Sequence, residues 1–265
     1  MKKIMFSLII LSMSFTFGQN KMYIWQNSTI TDSMDITNDL KISFKSASPI
    51  PINGLVAYYP FTDSSANDFS GFVHNGIKYN VLPDTDRFNN PQNSLRFNGS
   101  NSKILVNYST DFDITSKITL SVWIKYNGIN AAVNETIVGK WESSATLESY
   151  SLDIQSKKPR FILMLSNGSV VESTSPNDIN LMKWTHLVCV YDGTVHKVFI
   201  NGVQVVSKNI TGLINTGNAP LVIGASNSGY LNWFNGSIDD VRIYKSSLSD
   251  SEIQTLYHEG GWTGN

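Results

Sequence analysis

The chain has 265 residues, of which 41% are hydrophobic and 15% are charged, and its formal net charge is −1. This hydrophobic content is sufficient for a substantial core. The absence of any long Lys/Arg run excludes nucleic acid and anionic membranes as partners, because both are bound through clustered positive charge. Polarity comes instead from uncharged side chains, with 34 Ser and 27 Asn. Such a composition favours neutral polar ligands such as sugars.

The first 18 residues have the pattern of a secretory signal peptide. Lysines at positions 2 and 3 precede an apolar run over 4–17, and small residues before Gln19 suit a cleavage site. This run is shorter than the roughly 20 residues that a membrane-spanning helix needs. We therefore expect residues 1–18 to be removed, leaving a chain without a membrane span that is secreted, either extracellular or at the cell surface.

Two short segments follow. Residues 19–44 contain β-prone runs separated by Asn-Ser and Asn-Asp pairs, which predicts a small N-terminal β segment. Residues 45–53 hold two prolines among small residues, a composition typical of a linker.

From residue 54 to 258 the pattern is almost wholly β. Short apolar or alternating runs are bounded by turn pairs, and Asn167-Gly168, Asp192-Gly193 and Asn201-Gly202 predict type I′ hairpins in an antiparallel meander over 160–206. Further strands are expected at 55–59, 94–98, 103–107, 118–126, 136–139, 150–154, 221–224 and 237–244. The sequence therefore predicts an all-β fold, a two-sheet antiparallel jelly-roll sandwich.

One short C-terminal helix is predicted, over 250–258. Ser249 and Glu252 form an S-x-x-E capping box, and Leu248 with Ile253 fits a hydrophobic staple at the first turn. The last residues, 259–265, form a tail.

Few side chains suggest reactive chemistry. Cys189 has no partner cysteine in the chain, and its position in the apolar run HLVCVY predicts a buried, unreactive thiol. The sequence contains no nucleophile or phosphate-binding motif. The four histidines, which lack metal-ligand spacing, are His74, His186, His196 and His258.

Several segments resemble the LamG-like jelly-roll domain of the concanavalin A-like lectin/glucanase superfamily. They are GLVAYYPFTDSSANDFSGFVHNG at 54–76, SLRFNGSNSKILV at 94–106, ITLSVWIKY at 118–126, KWTHLVCVYDGTVHKVFINGVQV at 183–205 and FNGSIDDVRIYKSSLSDSEIQTLY at 234–257. The resemblance implies two packed, curved sheets, often a structural calcium ion, and recognition of glycans or proteins. Residues 21–44 more loosely resemble a β module that precedes other domains in secreted bacterial proteins.

Some members of the superfamily are glycoside hydrolases, which need two carboxylates about 5 to 9 Å apart. Asp111 and Asp113 alternate, but their Ser/Thr-rich flanks indicate a loop. Asp239 and Asp240 are adjacent, so a regular strand would point them to opposite faces. The sequence therefore predicts no enzyme activity.

Aromatic residues in loops are the candidate ligand contacts. Trp141 begins a Ser-rich loop after the strand at 136–139, while Tyr230 and Trp233 lie in SNSGYLNWF with Asn232 between them. Rings stack on sugar faces and amides supply hydrogen bonds, so these residues predict a glycan site. The alternative is that the rings cover the edge of the sandwich.

The predicted function is therefore a non-catalytic module that binds glycans. The first alternative is a protein-interaction or cell-surface adhesion module, and the second is a glycoside hydrolase.

The resemblance also implies one structural calcium ion, Ca2+, that joins the first loop of the domain to its closing strand. The positions that match the ligands in the family are Asp68 in ANDFSG and Asp239 or Asp240 in SIDDVRI, with Asn75 as a further oxygen. Calcium takes six to eight oxygen ligands, so backbone carbonyls of 71–74 would complete the shell. The alternative is that Asp68 forms an Asx-turn and Asp239 bonds to the loop backbone.

Overall fold

The computed structural model describes residues 14–18, 21–26, 29–35, 49–128, 134–142, 147–226 and 231–264. The chain divides into two compact units, one made of Met1–Ile50 with His258–Asn265 and the other of Pro51–Tyr257. Strands are numbered along the chain. In the first unit, an antiparallel three-stranded sheet is formed by β1 (Ser14–Gly18), β2 (Lys21–Gln26) and β3 (Thr29–Asp35). Strand β1 lies inside the predicted signal peptide, and β2 and β3 lie inside the predicted N-terminal β segment.

The second unit contains two antiparallel sheets. Sheet A has seven strands, in the spatial order β13 (Val170–Thr174), β12 (Lys158–Met164), β11 (Tyr150–Gln155), β10 (Asn134–Lys140), β17 (Leu221–Ile223), β8 (Lys103–Val106) and β5 (Gly76–Tyr79). Sheet B has eight, in the order β16 (Val203–Asn209), β15 (Val195–Ile200), β14 (Trp184–Tyr191), β9 (Ile118–Tyr126), β18 (Asn235–Tyr244), β7 (Ser94–Asn98) and β6 (Leu82–Asp84), with β4 (Leu55–Tyr59) also paired to β18. The predicted two-sheet antiparallel β-sandwich is confirmed.

Alternation along the strands builds the core between the sheets. In β11, Tyr150, Leu152 and Ile154 point into the core. In β9 of sheet B, Val122 and Ile124 do the same, and Cys189 of β14 is buried in the same core, as expected. Burial raises the pKa of the Cys189 thiol well above its usual value, so the group stays protonated and unreactive.

The outer face of sheet B is covered. Helix α1 (Asp250–Tyr257) is held at its start by the predicted capping box, in which the backbone nitrogen of Ser249 donates to Glu252 at 2.7 Å. Tyr257, at its end, stacks on Trp123 of β9 with ring centroids 5.8 Å apart, and Trp123 stacks on His186 at 4.9 Å. On the central strands of sheet B, the side chains of Ser121, Trp123 and His186 point away from the core and are buried as well.

Among the described residues, no helix has the length and apolar content that crossing a bilayer requires.

The hairpin turns differ in part from the prediction. Asn201-Gly202 has two positive φ angles, 50° and 76°, as a type I′ turn requires. Asn167-Gly168 and Asp192-Gly193 do not, because only the glycine is left-handed and the side-chain oxygen of each Asx residue caps the turn instead. A further pair of positive φ angles, at Ser156-Lys157 between β11 and β12, carries no glycine and was therefore not predicted. The short strands β5 and β6 were also not predicted.

Two glycines with the same φ provide a test of packing at the end of β17. Gly224 and Gly168 both have φ +85°, but a Cβ on Gly224 would lie 2.2 Å from a ring carbon of Phe97, whereas nothing lies within 4 Å at Gly168. Gly168→Ala should cost about 1–2 kcal/mol through backbone strain alone. Gly224→Ala should cost about 1–3 kcal/mol more, because the core must also shift around the added methyl. Urea unfolding of the two variants measures both costs. Equal decreases in the free energy of unfolding would contradict this packing.

Two buried histidines make the stability depend on pH. Burial, with Arg242 and Arg87 nearby, lowers the pKa of His186 to about 3, and burial with Lys208 nearby lowers that of His196 to about 3. The native state therefore keeps both rings neutral while the unfolded chain takes up protons below pH about 6.5. Stability should be fully present above that pH and should fall as the pH decreases toward 3.

Between pH 6.5 and pH 5, the free energy of unfolding should fall by about 1.5 kcal/mol for each histidine. Urea unfolding at these two pH values measures it. In His196→Gln, which does not titrate here, the pH dependence should be smaller by about that amount. An unchanged pH dependence in this variant would contradict the assignment to His196.

Candidate ligand-binding site

A pocket of about 210 Å³ lies on the outer face of sheet A. The same alternation that sends Tyr150 and Leu152 of β11 into the core turns Ser151 and Asp153 outward into this pocket. Its lining residues are Asn134, Thr136, Trp141, Ser151, Asp153, Arg160, Ile162, Val170, Glu172, Ser226 and Asn232. They come from four adjacent strands and from the segments that follow β10 and β17.

Strand register sets the floor of the pocket. Thr136, Asp153 and Arg160 stand side by side on β10, β11 and β12. Ser151 and Ile162 form the next row, beside Gly139 of β10. A Cβ on Gly139 would lie 3.0 Å from the hydroxyl oxygen of Ser151, so the glycine leaves that hydroxyl room. A bulge between Thr136 and Val138 keeps Thr136 aligned with Asp153.

Arg160 holds the charges of the pocket together. Its Nε and Nη2 atoms donate to the two carboxylate oxygens of Asp153 at 2.9 and 2.8 Å, and its Nη1 donates to Glu172 on β13 at 3.2 Å. Burial raises the pKa of Asp153, with Glu172 adding to the rise and Arg160 opposing it. Asp153 and Arg160 are buried, whereas the Glu172 side chain is about half exposed.

The wall beside the floor is tied to β10. Ser226 and Leu231 bond to each other through their backbones, and the amide nitrogen of Asn232 donates to the Ser226 hydroxyl at 2.9 Å. The backbone nitrogen of Thr136 donates to the carbonyl of Asn232 at 2.8 Å. Asn232 has a positive φ of 53°, which an Asn tolerates better than most residues. These bonds fix its side chain at the edge of the pocket.

The four predicted ligand residues separate into three groups. Trp141 and Asn232 line the pocket together. Trp233 is half-buried and is not among the lining residues. Tyr230 lies outside the described residues. The lining residues on the sheet floor were not predicted, although polar residues at alternate positions of YSLDIQ and KPRFILM mark an outward face that carries Ser151, Asp153 and Arg160.

The two-sheet sandwich agrees with the match to a known family. A laminin-G-type family model of the concanavalin A-like lectin/glucanase superfamily matches residues 98–254, more than half of the chain. The chain belongs to this superfamily. One curated relative, adhesion G-protein coupled receptor V1 of Danio rerio, is 25% identical over 155 residues, which make up 55% of this chain and 2% of the receptor.

Solved structures of the superfamily fold align with most of the chain. Domain 4 of AbnA, a GH43 extracellular arabinanase from Geobacillus stearothermophilus, in complex with arabinotriose, has a TM-score of 0.61 at 20% identity, covering 77% of this chain and 98% of that domain. The ligand binding domain of botulinum neurotoxin serotype D, in complex with N-acetylneuraminic acid, has a TM-score of 0.62 at 20% identity, covering 79% of this chain and 52% of that one. The binding domain of Paraclostridial Mosquitocidal Protein 1 has a TM-score of 0.63 at 18% identity, covering 77% and 52%. At these identities the likeness shows the shared fold.

The side-chain oxygens of Asp68 and Asn75, which the superfamily resemblance implies as calcium ligands, already accept hydrogen bonds within the loop. Asp68 accepts hydrogen bonds from the backbone nitrogens of Tyr58, Ser70 and His74 and from the Ser70 hydroxyl, at 2.8 to 2.9 Å. The side-chain oxygen of Asn75 accepts from the backbone nitrogen of Asp68. The oxygens of both side chains thus already accept hydrogen bonds that stabilise the loop, as the Asx-turn alternative expects.

Asp239 and Asp240 already have cationic partners. Both carboxylates contact Arg87, at 3.3 and 2.6 Å, because a bulge with φ 48° at Asp240 turns them to one face rather than to the opposite faces expected of a regular strand. Against the effect of burial, Arg242 and Arg87 hold the pKa of Asp240 below its usual range. Asp240 also accepts a bond from the Tyr58 phenol, so it and Asp68 bond to opposite ends of Tyr58.

Within the described parts of the chain, no group of three or more His, Cys, Asp or Glu could hold a metal ion. Calcium at Asp68 stays a prediction of the resemblance, and it would have to displace these donors.

The Asp68 contacts predict how the loop responds to mutation and to calcium. Asp68→Ala should lower the melting temperature by about 5 °C or more, because four hydrogen bonds to a carboxylate are lost. The decrease in melting temperature should be the same in millimolar calcium and in chelator. Differential scanning calorimetry of both proteins in both buffers tests this. A calcium-dependent rise in the wild type that is absent from Asp68→Ala would establish the ion instead.

Proposed function

We propose that this chain is a non-catalytic binding module that takes carbohydrate in the pocket on the outer face of sheet A. The observation that carries the proposal is the composition of the pocket, where one tryptophan and two aliphatic side chains stand among amides and hydroxyls. A sugar presents an apolar face together with a rim of hydroxyls, so it needs this combination of contacts.

The apolar and polar contacts have separate positions. Trp141, Ile162 and Val170 supply the apolar surface, with Trp141 half-buried at the edge of the pocket. Amides and hydroxyls come from Asn134, Thr136, Ser151, Ser226 and Asn232. Because the floor residues sit on paired strands and Asn232 is held by Ser226 and Thr136, the pocket is largely formed before a ligand arrives, which reduces the entropy lost on binding.

Two proteins of the same fold support a sugar ligand. Domain 4 of the arabinanase was solved with arabinotriose and the neurotoxin domain with N-acetylneuraminic acid. They support a recognition role on this fold, and the choice of sugar rests on the pocket of this chain. We propose in addition that the chain is secreted after removal of residues 1–18 and acts outside the cell or at its surface.

The acids of the pocket are poorly suited to glycoside hydrolysis. That reaction needs one carboxylate to give or take a proton and another to attack or to activate water. Both oxygens of Asp153 accept bonds from Arg160, and Glu172 accepts from the same guanidinium. Neither carboxylate is therefore available as a nucleophile without breaking an ion pair, and this supports a binding role.

A second candidate function is attachment to a protein surface. The loop after β4 exposes three large apolar side chains, with exposed fractions of 60% at Phe69, 42% at Phe72 and 70% at Val73. Exposed apolar residues that lie close together are typical of protein contacts. The similarity to an adhesion receptor also favours this candidate.

Replacement of Trp141 tests the sugar site. A glycan array first identifies a sugar that binds the purified chain, and calorimetric titration then compares variants. Trp141→Ala should weaken binding about tenfold, because loss of a stacked ring costs on the order of 1 kcal/mol or more. The matched control is Trp184→Ala, since Trp184 is a half-buried tryptophan on sheet B, beside Lys125. The affinity of the Trp184→Ala variant for the sugar should equal that of the wild type.

Three results would contradict the proposal. They are unchanged sugar affinity in Trp141→Ala, binding of no glycan at all, and release of reducing sugar that disappears when Glu172 is replaced. Binding to cells that is lost in Val73→Ser and kept in Trp141→Ala would favour the second candidate.

A further inference from the structure

The charged residues of the pocket select among sugars. We infer that the pocket on sheet A accepts neutral sugars and rejects sugar acids, and that Glu172 is the residue that determines this choice. The inference rests on the proposed function, since it names the class of carbohydrate that the same pocket takes.

Arg160 is the group that would attract an acidic sugar, but it is already engaged. A carboxylate is bound best by two parallel N–H groups on one edge of a guanidinium. The edge formed by Nε and Nη2 is taken by Asp153 at 2.9 and 2.8 Å, and Nη1 is bonded to Glu172 at 3.2 Å. These bonds use three of the five guanidinium N–H groups. An incoming carboxylate would therefore have to bind beside both acids or displace one of them, and in either case it would meet their negative charge.

The lining carries more negative than positive charge. Its charged residues are Asp153, Glu172 and Arg160, so its formal charge is −1. The pKa of buried Asp153 is raised, and Glu172 contributes to the rise, so one further negative charge is already disfavoured where these residues meet. A sugar carboxylate would meet the same repulsion in a partly desolvated site.

The hydroxyl groups of a neutral sugar suit the remaining polar groups of the pocket. The Glu172 side chain is 51% exposed, whereas that of Asp153 is 4% exposed, so Glu172 is the carboxylate that can reach a ligand. Its oxygens accept from sugar O–H groups, and such bonds to a charged acceptor are stronger than bonds between neutral groups. The amides of Asn134 and Asn232 can donate to the remaining sugar oxygens.

The first measurement compares neutral and acidic probes on the purified chain. The neutral probes are arabinotriose, galactotriose and lactose, and the acidic probes are trigalacturonate and 3′-sialyllactose. The tightest neutral probe should bind at least about tenfold more tightly than the tightest acidic one at low salt. Raising the salt to about 0.5 M should reduce this ratio, because screening weakens the repulsion.

The second measurement uses Glu172→Gln, which keeps the shape of the side chain and removes its charge. The variant should bind the neutral probe several-fold less tightly and the acidic probes more tightly, so the preference should narrow to about threefold or less. Asp178→Asn is the matched control, because Asp178 is an exposed acid outside the pocket lining. It removes one negative charge from the protein and should leave the preference unchanged.

The outcomes separate the inference from the proposed function. Acidic probes that bind as tightly as neutral ones, with binding still dependent on Trp141, overturn the inference and leave the sugar site standing. If Glu172→Gln leaves the preference for neutral over acidic probes unchanged, Glu172 does not determine that preference. If no probe and no glycan on an array binds, both the inference and the proposed function are wrong. The salt dependence of the wild type tests the charge argument even if the variant is unstable.

Discussion

Two-residue alternation on paired strands is the constraint from which the rest of this structure follows. It sends one set of side chains into the core between sheets A and B, and it leaves the other set on two outer faces. The two outer faces differ in how far they are covered. That of sheet B is covered at its central strands, where Trp123, His186 and Tyr257 stack against one another and the polar residues Ser121 and His186 are buried. That of sheet A carries the pocket, and its polar residues are available to a ligand. A single sandwich thus covers the central part of one outer face and leaves a pocket on the other.

On each outer face, one arginine forms ion pairs with two carboxylates. On sheet B, Arg87 contacts Asp239 and Asp240, and on sheet A, Arg160 contacts Asp153 and Glu172. A buried charge is costly unless its partners satisfy it, so each arginine has to lie between acids from other strands or loops. On sheet A this arrangement also determines the chemistry of the pocket. The guanidinium is bonded to two carboxylates, of which Asp153 is buried and Glu172 is half exposed.

Much of the fold could be predicted because the signals are local. Strand β9 was predicted with its observed bounds, and the S-x-x-E box predicted the start of α1. The turn at Ser156-Lys157 could not be predicted, since its positive φ angles come from the pairing of β11 with β12 rather than from Asn or Gly. Part of the pocket was also predictable. Polar loops that carry aromatic residues favour ligand contact, which points to Trp141 and Asn232, and the structure brings these two residues together with the sheet floor.

The sequence by itself determined the β-sandwich, through short-range periodicity and turn residues, and a composition rich in uncharged polar side chains. It also pointed to the superfamily, through the resemblance of five segments. Only the tertiary structure decided which side chains meet. Asp153, Arg160 and Glu172 lie on three strands, and their contact depends on the register of two strand pairs. The bulge at Asp240 likewise turns two adjacent acids toward one arginine. Register and bulges arise from the packing of whole strands against the core, so no local pattern specifies them.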